Sequence, residues 1–318
     1  MPRTFIAAAG SRPLRGRIWS IAVTADPLSP RTEANAGIGD TSSYIAREVR
    51  RHDRDRFLAT LFAPSAYRGD LWALYAFNAE IARIPESVSE PALGRIKVQW
   101  WRDVIGAITD GRGAPAGHPI AQALAAAMTA RSLTPQWLED LLAGRDTELD
   151  GGGFADIAAM ERHADMTSTR LAWLALDVLQ VSDAVSRDVA RHVAMSYALL
   201  GMLRTVPFHV GGNRLMLPED LLASAGVTLA GLQSGQDRAA LCVVAEQIAA
   251  RVRHHLALAK ALSRMADPRA MPVLLWWTLA DRALRVLASA NHDVLHVRIM
   301  AYRPGVLPLL WRSWRGRL

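Results

Sequence analysis

The sequence holds a single cysteine, Cys242, among its 318 residues. No intrachain disulfide can form, and no cysteine cluster can bind a metal. Alternating apolar and polar runs of five or more residues are missing, which argues against β-sheet. No glycine-rich loop follows a strand pattern, and no repeat period is visible. No unbroken apolar run reaches the ~20 residues of a membrane-spanning helix. The longest such stretch, Met271 to Ala280, ends at Asp281-Arg282 and reads as a buried core helix. After Asp293 there is no acidic residue at all.

What remains is a helical chain. Hydrophobic residues make up 51%, enough to bury a sizeable core, and Ala and Leu dominate over β-branched types. Leu71, Leu74, Tyr75, Asn78 and Ile81 trace one helical face, and Val189, Val193, Ser196, Tyr197 and Leu200 another. Thr134-Pro135 predicts a capped helix over 135–143. The break Asp150-Gly151-Gly152-Gly153 precedes an expected helix from about Phe154 to Gln180. Ser182-Asp183 is expected to cap the next helix, which Pro207 should end, as Pro85 should end an earlier one.

Net charge is +7. The arginines are spread along the whole chain without a nucleic-acid motif, so no nucleic acid is expected as a partner. Arg3, Arg12, Arg15 and Arg17 precede the first acid, Asp26. Residues 1–40 therefore read as a disordered N-terminal extension, or alternatively as an Arg-rich targeting peptide. Residues 291–318 form a basic segment in which Arg298, Arg303, Arg312, Arg315 and Arg317 alternate with Leu307, Leu309, Leu310, Trp311 and Trp314. Two readings are open: contact with a membrane surface, or a short terminal helix from about Pro308 docked on the core by its leucines.

Histidine and tryptophan give weaker signals. His292 and His296 have the spacing of a zinc pair on a helix, but no glutamate completes the motif. His254 and His255 are adjacent and cannot face the same way. The pairs Trp100-Trp101 and Trp276-Trp277 should each put one ring in the core, leaving the partner for a cleft.

The chemistry-bearing segments come in a recognisable order. Arg68-Gly69-Asp70-Leu71-Trp72-Ala73-Leu74-Tyr75-Ala76-Phe77 runs on to Ala82-Arg83-Ile84-Pro85-Glu86. Gln99-Trp100-Trp101-Arg102-Asp103 and His118-Pro119 follow, and then Leu203-Arg204-Thr205 through Phe208-His209 to Arg214, Leu217 and Pro218. In order and spacing they resemble the squalene/phytoene synthase superfamily over residues 41–290. The resemblance implies an all-α, single-domain isoprenoid-synthase-like helical bundle with a central cavity.

Family enzymes ionise an allylic diphosphate with Mg2+ held between two Asp-rich motifs on facing helices. The degenerate counterparts here are Ala82, Glu86, Thr205 and His209, and Phe208 also stands where the family is acidic. Magnesium takes hard oxygen ligands, and one surviving carboxylate does not supply them. The resemblance thus implies a non-catalytic member with no metal site and no cofactor. Mg2+ belongs only to the alternative, an active head-to-head prenyltransferase condensing two prenyl diphosphates, with Glu80 or Asp103 helping Glu86. Arg68, Arg204 and Arg214 match basic positions of the family, which implies binding of a diphosphate, an isoprenoid or an anionic lipid. The competing reading pairs them with acids such as Asp70 or Glu80.

Two further segments narrow the resemblance. Ala76-Phe77-Asn78-Ala79-Glu80-Ile81 and Leu203-Arg204-Thr205-Val206-Pro207-Phe208-His209 are similar to the branch typified by the mitochondrial respiratory complex I assembly factor. That branch implies an assembly or lipid-handling role, with complex I subunits or assembly intermediates as partners. The place implied is the inner face of the cytoplasmic membrane, or the matrix side in a eukaryote.

Overall fold

The computed structural model describes the backbone of residues 38–302 and 305–315. Nearly all of the expected N-terminal extension falls outside this range. The described residues are helical, with one isolated β-bridge between Phe154 and Pro218. The expectation of an all-α bundle holds.

Helix α1 (Ile38–His52) leads through the short α2 (Arg54–Thr60) into α3 (Ser65–Ala82). The face read from the sequence is the one that packs. Leu71, Leu74, Tyr75, Asn78 and Ile81 are all buried, against α1, α5 (Pro119–Arg131) and α8 (Arg170–Val178). Helix α3 stops at Ala82, three residues before Pro85, so the former first motif leaves the helix after Ala82 and its remainder, to Glu86, lies in turns.

Helix α4 (Pro91–Thr109) packs on α6 (Pro135–Leu149). Arg102 reaches across to Glu139 at 2.6 Å and Asp146 at 2.7 Å. Helix α6 is a turn and a half longer than expected. Its cap residue Thr134 makes no side-chain capping bond; its hydroxyl is turned to Asp177, to which it donates at 3.0 Å.

The segment expected as one helix from Phe154 to Gln180 is divided. Helix α7 (Ile157–Ala164) runs into a π-helical turn, Asp165–Thr169, and then into α8. Such turns widen a helix locally and often mark functional positions.

Helix α9 (Ala184–Gly211) is the central element. Asp183 caps it by accepting from the Ser186 amide at 2.8 Å, as expected. Pro207 does not end it: the helix continues to Gly211 with the proline inside. The missing N–H leaves one backbone bond unmade, but Val206 and Val210 on either side are buried and hold the turn in place. By length and mean hydropathy α9 is the one described helix apolar enough to cross a membrane, contrary to the sequence reading. It packs against α12 (Arg238–Leu262) and α14 (Trp276–Ser289), as the core helix of a folded domain does.

The short helices α10 (Glu219–Ala225) and α11 (Leu229–Ser234) join α9 to α12, and the four-residue α13 (Met271–Leu274) precedes α14. The stretch Met271 to Ala280 is therefore shared by two helices. Both Trp276 and Trp277 are buried, against the expectation that one ring would leave the core. The difference comes from a hydrogen bond: the Trp277 indole donates to the Leu256 carbonyl at 2.9 Å. His292 lies in a left-handed turn (φ 59°) and His296 caps α15 (Val297–Ala301), so the two histidines do not share a helical face. His255 turns to His192 at 2.9 Å and to Glu161 at 3.3 Å.

At the C-terminal end one helix forms, α16 (Leu307–Arg315), as the docked-helix reading expects. Leu309 is fully buried against the core, whereas Leu307, Leu310, Trp311 and Trp314 are exposed.

Candidate functional site

A cavity of ≈ 560 Å³ opens between the C-terminal half of α3 and the C-terminal half of α9. Asn78 and Ala82 of α3 form one wall, with Pro85, Glu86 and Val88 from the turns that follow. Tyr197, Ala198, Gly201, Met202, Thr205, Phe208 and His209 of α9 form the opposite wall, at helical spacing. Arg145 and Glu148 of α6, His163 of α7, and Thr167 and Ser168 of the π-helical turn close a third side. Arg56 reaches in from α2, and Phe154, Arg214 and Met216 come from loops.

Two local devices position these groups. The bridge between Phe154 and Pro218 ties the loop before α7 to the loop after α9, with the Phe154 amide donating to Leu217 O at 3.2 Å. Gly153 permits this, since a Cβ there would meet that same carbonyl at 2.8 Å. Gly144 does likewise in α6, where a Cβ would collide with the Thr167 methyl, so the π-helical turn can lie directly on α6.

All four degenerate motif positions line the cavity: Ala82, Glu86, Thr205 and His209. They supply one carboxylate. Burial pushes the Glu86 carboxyl up, as does the nearby Glu148 charge, against Arg145 and Arg214. Burial lowers the His209 imidazole below its usual value. The Thr205 hydroxyl donates to its own helix at Met202 O, 2.9 Å. Phe208, in a former acidic position, is exposed at 61%.

A second carboxylate, Glu148, was not read from the sequence. It accepts from Arg145 at 2.6 Å and faces His163 Nε2 at 2.9 Å. Burial alone would raise its pKa, but the Arg145 guanidinium and His163 outweigh that and hold it at about 2. The Arg145-x-x-Glu148 spacing on a helix was the available signal. Glu148 is thus an anion with its partners already in place. Among the described residues no group of three or more His, Cys, Asp and Glu side chains is placed to hold a metal ion. The donor set does not fit the magnesium cluster that the fold implies.

The three arginines expected to bind an anion are separated. Arg214 lines the cavity. Arg68 does not: its Nε donates to Ala63 O at 2.8 Å, at the start of α3. Arg204 leaves α9 on the other side, beside Leu203, Leu287 and Tyr302, with its guanidinium 5.9 Å from the Tyr302 ring. The expected acid partners are also taken by others. Asp70 pairs with Arg131 at 2.6 Å, and Glu80 with His118 at 3.3 Å.

The substitute metal ligands proposed for an active enzyme are elsewhere too. Glu80 lines a surface groove with Arg83, Lys97 and Trp100, and Asp103 accepts from Gln99 at 2.9 Å. Trp100 belongs to that groove and not to the central cavity, while Trp101 is buried edge-on to Phe77 at 4.8 Å.

At the cavity floor Arg56 is buried, its guanidinium 4.4 Å from the Trp276 ring and 4.8 Å from that of Tyr197. Asp53 accepts from it at 2.6 Å. Burial pushes the Asp55 carboxyl up, with Asp53 adding to the effect, and the Tyr197 hydroxyl donates to it at 3.2 Å.

Comparison with known proteins fits this picture. Residues 49–304 match the family model for squalene/phytoene synthase. The chain is 29% identical over 314 residues to a bovine (Bos taurus) protein named NADH dehydrogenase (ubiquinone) complex I, assembly factor 6, covering 96% of this chain and 93% of that one. It is 24% identical over 274 residues to a presqualene diphosphate synthase of Rhodopseudomonas palustris, covering 85% and 88%. A crystal structure of a squalene synthase from Alicyclobacillus acidocaldarius superposes with a TM-score of 0.69 at 13% identity, over 80% of this chain and 95% of that chain. At that identity the likeness shows the fold.

Proposed function

The chain belongs to the squalene/phytoene synthase family, and from that premise we propose that it is a non-catalytic member serving the assembly of respiratory complex I. One observation carries the first half. The cavity walls that hold the family's motif positions present Ala82, Thr205, Phe208 and His209 beside a single unpaired carboxylate, Glu86. Loss of a diphosphate needs its developing charge neutralised in the transition state. Neither Glu80 nor Asp103 reaches the cavity to rebuild a metal cradle. The protein works without a resident metal or cofactor.

The second half is supported by the names of the relatives that match along most of the chain, among them the bovine assembly factor. Complex I subunits or their assembly intermediates are the partners. The exposed face of α16, with Leu310 and Trp314, supports a place on the inner face of the membrane in which that complex is built.

The test has two arms. Purified protein with farnesyl diphosphate and Mg2+ should release no pyrophosphate above a buffer blank, and steady turnover would overturn the reading. Affinity capture of the tagged chain from its native cells should enrich complex I subunits. Deleting the gene should lower the amount of assembled complex, and normal assembly in its absence would remove the second half.

A further inference from the structure

The outer face of α4 leaves a row of apolar side chains open to solvent. Leu93, Ile96 and Trp100 are 48%, 65% and 37% exposed. Their spacing, i, i+3 and i+7, sets them along one stripe about 10 Å long. Apart from α16, the other exposed large apolar residues among those described stand singly along the chain. Single ones are ordinary on a protein surface, whereas a contiguous row marks an interaction site.

Beside the stripe lies the groove that holds Glu80, with a volume of ≈ 570 Å³. Ile84 and Trp101, both buried, line it together with Ile96 and Trp100. The Trp100 ring is fixed there, its centroid 5.0 Å from that of Trp101 and 4.8 Å from that of His118. A ring already held in place loses little freedom when a partner arrives.

The charges of the groove are not neutralised by the chain. Arg83 meets neutral groups, the His52 ring at 2.7 Å and Ala79 O at 3.2 Å, and Lys97 meets the Ser87 hydroxyl at 3.1 Å. Among the described residues neither is ion-paired. Their neighbours on α4 differ: Arg95 is paired with Asp150, and Arg102 with Glu139 and Asp146. The one carboxylate in the groove, Glu80, already faces His118 Nε2 at 3.3 Å. Glu90 stands a turn before Leu93 and is not part of the groove.

We propose that this face of α4 docks an acidic amphipathic helix of a partner protein. The partner's apolar side chains lie on Leu93, Ile96 and Trp100, and its carboxylates meet Lys97 and Arg83. An apolar centre with an anchored tryptophan and a charged rim is the anatomy of a protein interface. Two turns of helix match the length of the stripe. Charge decides against the other occupants. A second copy docked face to face would set these cations against cations. Residues 1–37 of the chain itself carry Arg3, Arg12, Arg15 and Arg17 before their first acid, the wrong sign for this groove. A flat membrane surface would leave the groove unfilled. The proposal goes beyond the assembly role, because it specifies the chemistry of the docked segment and not the complex that supplies it.

Site-specific photo-crosslinking tests it. The full tagged chain carries p-benzoylphenylalanine in place of Leu93 and is irradiated in its native cells. The adduct should map to one partner segment with apolar residues at helical spacing and Asp or Glu beside them. Lys97→Glu should cut the yield about tenfold, and changing the facing acid of the partner to Lys should restore it. Ile96→Ser should also cut the yield about tenfold. Positions 93, 96 and 97 are all exposed, so these variants should keep the parent's melting temperature. The same photoprobe at Val243, exposed on α12, should not capture that segment. An adduct with lipid, with a second copy or with a basic segment overturns the proposal, as does no adduct, or a yield unchanged by Lys97→Glu. Normal complex I assembly in cells lacking the gene would strike the assembly reading and leave this one standing.

Discussion

Glu148 Oε1 lies 2.9 Å from His163 Nε2, linking α6 to α7 across the wall of the cavity. Together with Arg145 this contact holds the Glu148 carboxyl at about 2, well below its ordinary 4.5. A carboxyl whose pKa is depressed by folding stabilises the native state fully above its unfolded value. That contribution disappears as pH falls from about 4.5 towards about 2. A depression of this size corresponds to a contribution on the order of 3 kcal/mol. Urea unfolding at a series of pH values should show this acid loss, and Glu148→Gln should both weaken the protein at neutral pH and flatten the slope below pH 4.5.

Arg56 and Asp53 form the other buried pair, under the rings of Trp276 and Tyr197. Arg56→Ala leaves Asp53 buried without its partner and removes the stacking, and should cost about 3–5 kcal/mol. The double variant Asp53→Asn/Arg56→Met, which leaves no charge stranded, should recover part of that loss. Thermal unfolding of the three proteins checks the order.

Gly144 lets α6 touch the Thr167 methyl. Gly144→Ala should therefore destabilise by about 1–3 kcal/mol through overpacking, although alanine is the better helix former. If the melting temperature rises instead, the close approach of α6 to the π-helical turn is wrong.

The exposed face of α16 can be altered without disturbing the core, because Leu309 makes the buried contact. Leu310→Ser/Trp314→Ser should leave thermal stability within about 0.5 kcal/mol, the usual range for surface changes. The same variant should reduce sedimentation with vesicles containing phosphatidylglycerol several-fold. Equal binding of variant and parent would remove the membrane-facing role of this helix.

Several elements were legible without coordinates. The buried face of α3, the Asp183 cap of α9 and the all-α class all follow from local periodicity and capping chemistry, which act over a few residues. The loss of the family's carboxylates was equally legible, because a missing side chain is missing in any fold. Other features depend on what lies across the interior. Pro207 stays inside a helix because its neighbours Val206 and Val210 are buried on both sides of it, a tertiary effect that overrides local preference. Thr134 makes no capping bond and turns its hydroxyl to Asp177, 43 residues away.

The sequence by itself determined that this chain is helical, that it has the order of segments of a prenyl-condensing family, and that its metal-binding positions carry the wrong atoms. Only the tertiary structure decided which charged groups meet. It sent Arg68 and Arg204 away from the cavity and brought in Arg145 and Glu148, already paired, from a helix with no motif. The reason is physical: side-chain type is written residue by residue, whereas electrostatic balance is a sum over groups that folding gathers from distant parts of the chain.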